Sequence, residues 1–229
     1  MWLIVPVKNF ATAKQRLSLC LSPGERSHLY EAMLEDVLEC VQQVPTLDEI
    51  ALVTLDPKAM KIAAKYGARV MRESANRSHS EAIRFGIDQL LKNRVETMFT
   101  LPGDVPLVTA AEVNALIDAH ANQTAFTIAP SRDRKGSNAV MCSPPDIIPL
   151  QFGSDSFYPH LEQVRRIGIE PTIVSLPGIS LDIDTPADLE LFLARRSHTR
   201  TRAFLENNGI AARISVEQIQ DTGKSPREI

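Results

Sequence analysis

Apolar residues in this chain fall into short β-branched runs, separated by stretches in which they recur every three or four positions. Trp2–Val5 is a brief apolar run bounded by Pro6. From Pro23 to Val44, the residues Leu29, Met33, Leu34, Val37, Leu38 and Val41 keep helical spacing. Ser22 can cap that helix, Pro23 suits its first position, and Glu25 puts negative charge in its first turn. Ile50–Leu55 predicts a buried strand, Pro57–Tyr66 a helix stopped by Gly67, and Ala68–Met71 a short strand. Ser80–Lys92 predicts a helix, Thr97–Leu101 a strand ending at Pro102, and Thr109–His120 a helix capped by Thr109. Thr124–Ala129 and Asn138–Cys142 read as strands, Asp155–Ile167 as a helix, Thr172–Ser175 as a strand and Pro186–Arg195 as a helix.

Strands alternating with helices predict an α/β fold: a mostly parallel central sheet flanked by helices on both faces. Right-handed crossovers then gather the strand-to-helix loops along one edge, where ligands of open sheets bind. A single domain over residues 1–207 is expected, followed by a polar C-terminal tail at 208–229.

Composition narrows the picture. With 44% hydrophobic and 23% charged residues, the chain has the balance of a globular protein rather than a disordered one. A net charge of −3 provides no general field for a nucleic-acid backbone. The basic stretch Arg195, Arg196, Arg200 and Arg202 reads as a solvated helix surface or a homodimer interface. The three cysteines, Cys20, Cys40 and Cys142, are widely spaced and odd in number, so reduced thiols are expected, with Cys40 in the core. MWLIVPVKNF lacks the charged and long apolar parts of a signal peptide, and no run nears the roughly 18–20 apolar residues of a membrane span. A cytoplasmic protein without membrane or nucleic-acid partners is expected.

Four groups of residues suggest chemistry. In LPGDVPL an apolar strand delivers Asp104 at its end, after a turn at Gly103 and before Pro106. A carboxylate placed there suits a hard cation such as magnesium, and equally suits a turn. In LDIDTP, Asp182 and Asp184 point to the same side of an extended chain, while Asp184 also stands close to a helix cap. Lys8, Lys14 and Arg16 follow the first strand closely, as cations for a phosphate or as plain surface. KGSN at Lys135–Asn138 and FGSDS at Phe152–Ser156 are glycine-plus-hydroxyl turns. Ser156 lies near a helix start that can receive an anion, and His160 beyond it reads as a surface histidine. No GxSxG elbow, HExxH or phosphate-loop glycine pattern is present, which disfavours serine hydrolases, zinc enzymes and P-loop proteins.

In their order along the chain, PVKxxxxAKxRL at Pro6–Leu17, LPGDVPL at Leu101–Leu107, KGSNA at Lys135–Ala139, FGSDSF at Phe152–Phe157 and LDIDTPADL at Leu181–Leu189 resemble the 2-phospho-L-lactate guanylyltransferase family of coenzyme F420 biosynthesis. The resemblance implies a single-domain, Rossmann-like nucleotidyltransferase of GT-A type, using GTP and Mg2+. It implies a three-carbon phospho-acid acceptor: 2-phospho-L-lactate, phosphoenolpyruvate or 3-phospho-D-glycerate. The product would pass to a deazaflavin-dependent transferase. By the same resemblance, Asp104, Asp182 and Asp184 hold the metal, and Pro6, Val7, Lys8, Lys14 and Arg16 bind the nucleotide. Asp104, Lys14 and Arg16 are the expected catalytic residues, and Ser137, Asn138, Gly153 and Ser156 the acceptor contacts. The chain departs from the pattern at Ser78-His79-Ser80-Glu81, where many relatives carry a Leu-Asn pair, and at KGSNA in place of GGTNA. Two other readings share the acidic strand ends: transfer to a molybdopterin or sugar phosphate, and a non-catalytic nucleotide-binding module.

Overall fold

The computed structural model describes residues 1–73, 78–120 and 124–214. Seven strands form its sheet: β1 (Trp2–Pro6), β2 (Glu49–Val53), β3 (Arg69–Met71), β4 (Met98–Thr100), β5 (Ala125–Pro130), β6 (Ser137–Ser143) and β7 (Thr172–Ile173), in the order β3-β2-β1-β4-β6-β5-β7. β1, β2, β3 and β4 are mutually parallel, as are β5 and β7. β6 runs antiparallel to both β4 and β5. Strict β–α–β alternation fails here because only residues 131–136 separate β5 from β6. A parallel return needs a crossover of a dozen or more residues, so so short a link makes a hairpin. The reversal has a consequence for the site. β6 starts, with Ser137 and Asn138, at the sheet edge where β1 and β4 end.

The central strands are buried on both faces and sort their side chains by alternation. Leu3 and Val5 of β1, Leu52 of β2, Phe99 of β4 and Met141 of β6 belong to one core. That core is closed by α1 (Pro23–Val41), α2 (Pro57–Lys65), α4 (Ala110–Ala119), α6 (Pro186–Ala194) and α7 (Arg200–Asn207). Ile4, Ala51, Val53, Met98, Val140 and Cys142 face the other way, against α3 (His79–Lys92) and α5 (Phe157–Arg166). Helix starts follow the expected chemistry. Ser22 with Glu25, and Thr109 with Glu112, form capping boxes. Cys142 is the fully buried thiol; Cys40 is only partly covered.

The C-terminal part departs from the sequence expectation. Asp36 of α1 accepts from the backbone amides of Arg200 (2.7 Å) and Thr201 (2.9 Å) and from the Thr201 hydroxyl (2.6 Å), so α1 itself anchors the start of α7. Arg200 pairs with Glu39, and Arg202 donates to the carbonyls of Phe192 and Leu193. These two arginines of the basic stretch therefore brace helices instead of forming a bare solvated face. Residues within 208–214 pack against the body of the protein. Ile210 and Ile214 are buried in the first core, and Arg213 bonds Glu25 at 2.7 Å. Ile210 and Ile214, four positions apart, share one face of a helical turn.

One contact fixes the loop that leads to Asp182 and Asp184. Glu112 caps α4 and also accepts from the Gly178 amide at 2.6 Å. A Cβ at Gly178 would collide with the Leu107 carbonyl oxygen and the Glu112 carboxylate. Backbone cannot give way as a flexible side chain can. Gly178→Ala is expected to cost about 1–3 kcal/mol, read as a Tm lower by several degrees in calorimetry. A Tm equal to that of the parent would show that the loop is not held by this contact.

Candidate active site

The acidic residues arrive on separate loops at one edge of the sheet. β4 ends at Thr100, and Leu101 still donates to Ile4 at 3.2 Å before the chain turns at Gly103 to present Asp104. The Ile183 amide donates to the Asp104 carbonyl at 3.0 Å, which ties the second acidic loop to the first. Thr185, not Asp184, caps α6, in a capping box with Asp188. Asp184 is thereby left to face the cluster.

Lys14 stands in the middle. Its Nζ bonds Asp104 Oδ2 and, at 2.8 Å, Asp184 Oδ1, with only 4% of its side chain exposed. Its backbone is left-handed, with φ 55° and ψ 40°, a conformation rare for residues with a side chain. The Tyr30 ring lies beneath the ammonium at 5.6 Å. Burial opposes the lysine charge, but Asp104 and Asp184 more than offset it and hold its pKa above the usual value. The lysine expected on the nucleotide phosphates is thus engaged by the carboxylates.

The carboxylates differ in environment. Burial raises the pKa of Asp104, against the pull of Lys14, and Asp184 adds repulsion. Burial, then the Asp104 charge, pushes Asp182 up to about 6, although Asn138 donates to it. Lys14 lowers the pKa of Asp184. Three carboxylates against one buried ammonium leave the cluster short of positive charge. Asp104 Oδ1 is buried with no hydrogen-bond partner among the described residues. No group of three or more His, Cys, Asp or Glu converges as a metal cage among those residues. Magnesium, however, takes one or two carboxylates, waters and substrate phosphates, so an orphaned carboxylate oxygen beside surplus negative charge is a donor set that fits it.

Two adjoining cavities open here, of roughly 630 Å³ and 360 Å³. Lys8, Arg16, His79, Asp104 and Asp184 line both. Pro6 and Val7, at the end of β1, belong to the smaller, and Val7 is held to Val53 at 3.0 Å. Lys8 and Arg16 are exposed, and Arg16 reaches Asp184 only at 3.9 Å. Ser137, Asn138, Gly153, Ser156 and Asp182 line the larger cavity. Asn138 directs its amide hydrogens to the Ile179 carbonyl and to Asp182 Oδ1, both at 2.9 Å. What it offers a ligand is its carbonyl oxygen, a poor partner for phosphate, while its amide clamps Asp182.

Several residues escape a sequence reading. Arg132 lines the larger cavity and lies 3.5 Å from Asp188, in the hairpin just before KGSNA. Its place beside a recognised motif was the available signal. His79 packs on Phe152 with ring centroids 4.6 Å apart, and the Ser80 hydroxyl bridges both backbone groups of Phe152. The unusual Ser78–Glu81 segment therefore pins the FGSDS loop, while Ser78 caps α3. His160 is fully buried, contrary to its reading as a surface residue. In α5 it lies on the same stripe as Phe157, Leu161 and Val164.

Known proteins resemble this chain in sequence and in fold. The family model described as guanylyl transferase CofC like matches residues 1–222. Phosphoenolpyruvate guanylyltransferase of Sphaerobacter thermophilus is 36% identical over 187 residues, covering 82% of this chain and 89% of the relative. 2-Phospho-L-lactate guanylyltransferase of Methanothermobacter thermautotrophicus is 30% identical over 202 residues, covering 88% of each. Among solved structures, a putative nucleotide-diphospho-sugar transferase from Desulfovibrio desulfuricans superposes with a TM-score of 0.72 at 18% identity, over 93% of this chain and 96% of that one. A nucleotidyl transferase from Methanothermobacter superposes at 0.58 with 17% identity, over 90% and 99%. These two likenesses bear on the fold, which is that of nucleotidyltransferases. The match across nearly the whole sequence settles the rest: this chain belongs to the CofC-like guanylyl transferase family.

Proposed function

We propose that this protein transfers the guanylyl group of GTP to the phosphate of a three-carbon phospho-acid and releases pyrophosphate. The acceptor is phosphoenolpyruvate, 2-phospho-L-lactate or 3-phospho-D-glycerate, and the product feeds a deazaflavin-dependent transferase in coenzyme F420 biosynthesis. The observation that carries the reading is the shared wall of the two cavities. Cations and carboxylates lie where they meet, and a hydroxyl-lined recess occupies one side.

GTP takes the side of Pro6, Val7 and Lys8, with Lys8 and Arg16 toward its phosphates. The phospho-acid takes the recess of Ser137, Gly153 and Ser156. Asp104, Asp182 and Asp184 would hold a magnesium ion, which supplies positive charge against the triphosphate when bound. An acceptor phosphate oxygen attacks the α-phosphorus, and the bond to the pyrophosphate oxygen breaks. A phosphate dianion is nucleophilic without a general base, so the chain contributes positioning and charge.

The test is pyrophosphate release from purified protein with GTP and magnesium, given each of the three acids separately. A deazaflavin acceptor and its transferase run in parallel to trap labile product. Release with one acid settles reaction and acceptor together. Release with none, beside measurable GTP binding, overturns the acceptor class and returns the choice to a larger phosphate acceptor or a binding module.

A further inference from the structure

His160 takes no part in the chemistry above, yet it is wholly buried beside the acceptor recess. Its Nε2 lies 3.1 Å from the Gln151 backbone nitrogen, and its Nδ1 lies 3.0 Å from Ser137 Oγ. A backbone amide only donates, so Nε2 carries the lone pair and the ring proton of the neutral imidazole sits on Nδ1. Burial holds the His160 pKa down at about 4, so the ring is neutral near pH 7. Nδ1–H therefore donates to Ser137. Ser156 Oγ donates to the same oxygen from 3.1 Å. A hydroxyl accepts at two lone pairs and donates once. Both acceptor places of Ser137 are filled from within the protein, and its own proton is what remains. Ser137 lies on the wall of the larger cavity. Phe152 meets the imidazole edge-on at 5.4 Å and helps to fix its plane.

We infer that His160 is a positioning residue: through Nδ1–H it holds the Ser137 hydroxyl so that its proton points into the cavity, as a donor dedicated to the acceptor phosphate. The inference rests on the phospho-acid reading of that cavity. It adds a reason for selectivity. With its lone pairs occupied, Ser137 only donates, so at this position the recess calls for an acceptor oxygen, as a phosphate dianion supplies.

Long-range 15N–1H NMR of the histidine rings, with His160 assigned by its loss in H160F, tests the device without any substrate. The Nδ1–H tautomer is expected, and an Nε2–H tautomer overturns the inference. Kinetics test its purpose. H160F is expected to raise KM for the phospho-acid about tenfold or more and leave KM for GTP nearly unchanged. Adding S137A to H160F should then cost less than about a further twofold. H160N, whose amide places an N–H near the Nδ1 position, should recover most of the loss, and it also serves if H160F folds poorly. Equal rises in both KM values, or full additivity of the two substitutions, would overturn the inference. A wild type inactive with all three acids, but with His160 in the Nδ1–H form, would instead sink the acceptor assignment.

Discussion

Asp104→Asn lowers guanylyl transfer at saturating GTP and phospho-acid by on the order of 10³-fold, or about 4 kcal/mol of barrier, while Tm stays within a few degrees of the parent. The split between activity and stability follows from the position of Asp104. Its carboxylate is disfavoured by burial and by Asp184, so neutralising it removes repulsion as well as an ion pair. Asparagine keeps the shape, and Lys14 keeps Asp184 as a partner at 2.8 Å. The loss falls instead on function. Asp104 carries the buried oxygen that has no partner among the described residues, on the wall common to both cavities. Steady-state pyrophosphate release over a magnesium series, beside a thermal melt, measures both quantities. An unchanged rate would remove Asp104 from the reacting centre, and a large fall in Tm would make it a structural residue.

How much of this was legible in sequence depended on whether the deciding physics was local. Helix starts were, because Ser22, Thr109 and Thr185 satisfy amides within their own first turn. The strands were, because runs such as Ala51–Val53 are buried on both faces and contain no competing period. Strand direction is not local. The antiparallel course of β6 follows from a short link at 131–136, and it is this reversal that carries Ser137 to the acidic edge. The acids that meet here were visible because Asp104 follows a strand and Asp182 and Asp184 stand just ahead of a capped helix. The ammonium between them was not, since Lys14 and Asp184 are 170 positions apart. His160 was misread because its buried stripe is short and its partners, Gln151 and Ser137, come from outside the helix. The resemblance to a family supplied roles for single residues, whereas the contacts that hold those residues in place come from the fold.

Lys14→Met is expected to lower stability at pH 7.5 by about 3–5 kcal/mol, a fall in Tm of roughly 10 °C for a chain of this size. Methionine fills the same space, so the cost is electrostatic: Asp104 and Asp184 lose their buried counter-ion. The sign of the pH dependence follows. Without the ammonium, the folded-state pKa values of these acids lie above their unfolded values. Between the two values the native state binds more protons, and stability falls as pH rises. For Asp104 and Asp184 the window opens near pH 4, the ordinary carboxylate value, and extends upward. In the parent, Asp184 works the opposite way, because Lys14 holds its pKa low and the stability it contributes is lost as pH falls. The Tm gap between parent and variant should therefore be small near pH 4 and widen towards pH 8. Millimolar magnesium should close part of that gap, because a divalent cation and the lysine neutralise the same oxygens. Thermal melts at several pH values, with and without magnesium, decide the matter. A gap independent of pH would mean that Lys14 stabilises by packing alone. Equal stabilisation of both proteins by magnesium would mean that the cation and the lysine do not share these carboxylates.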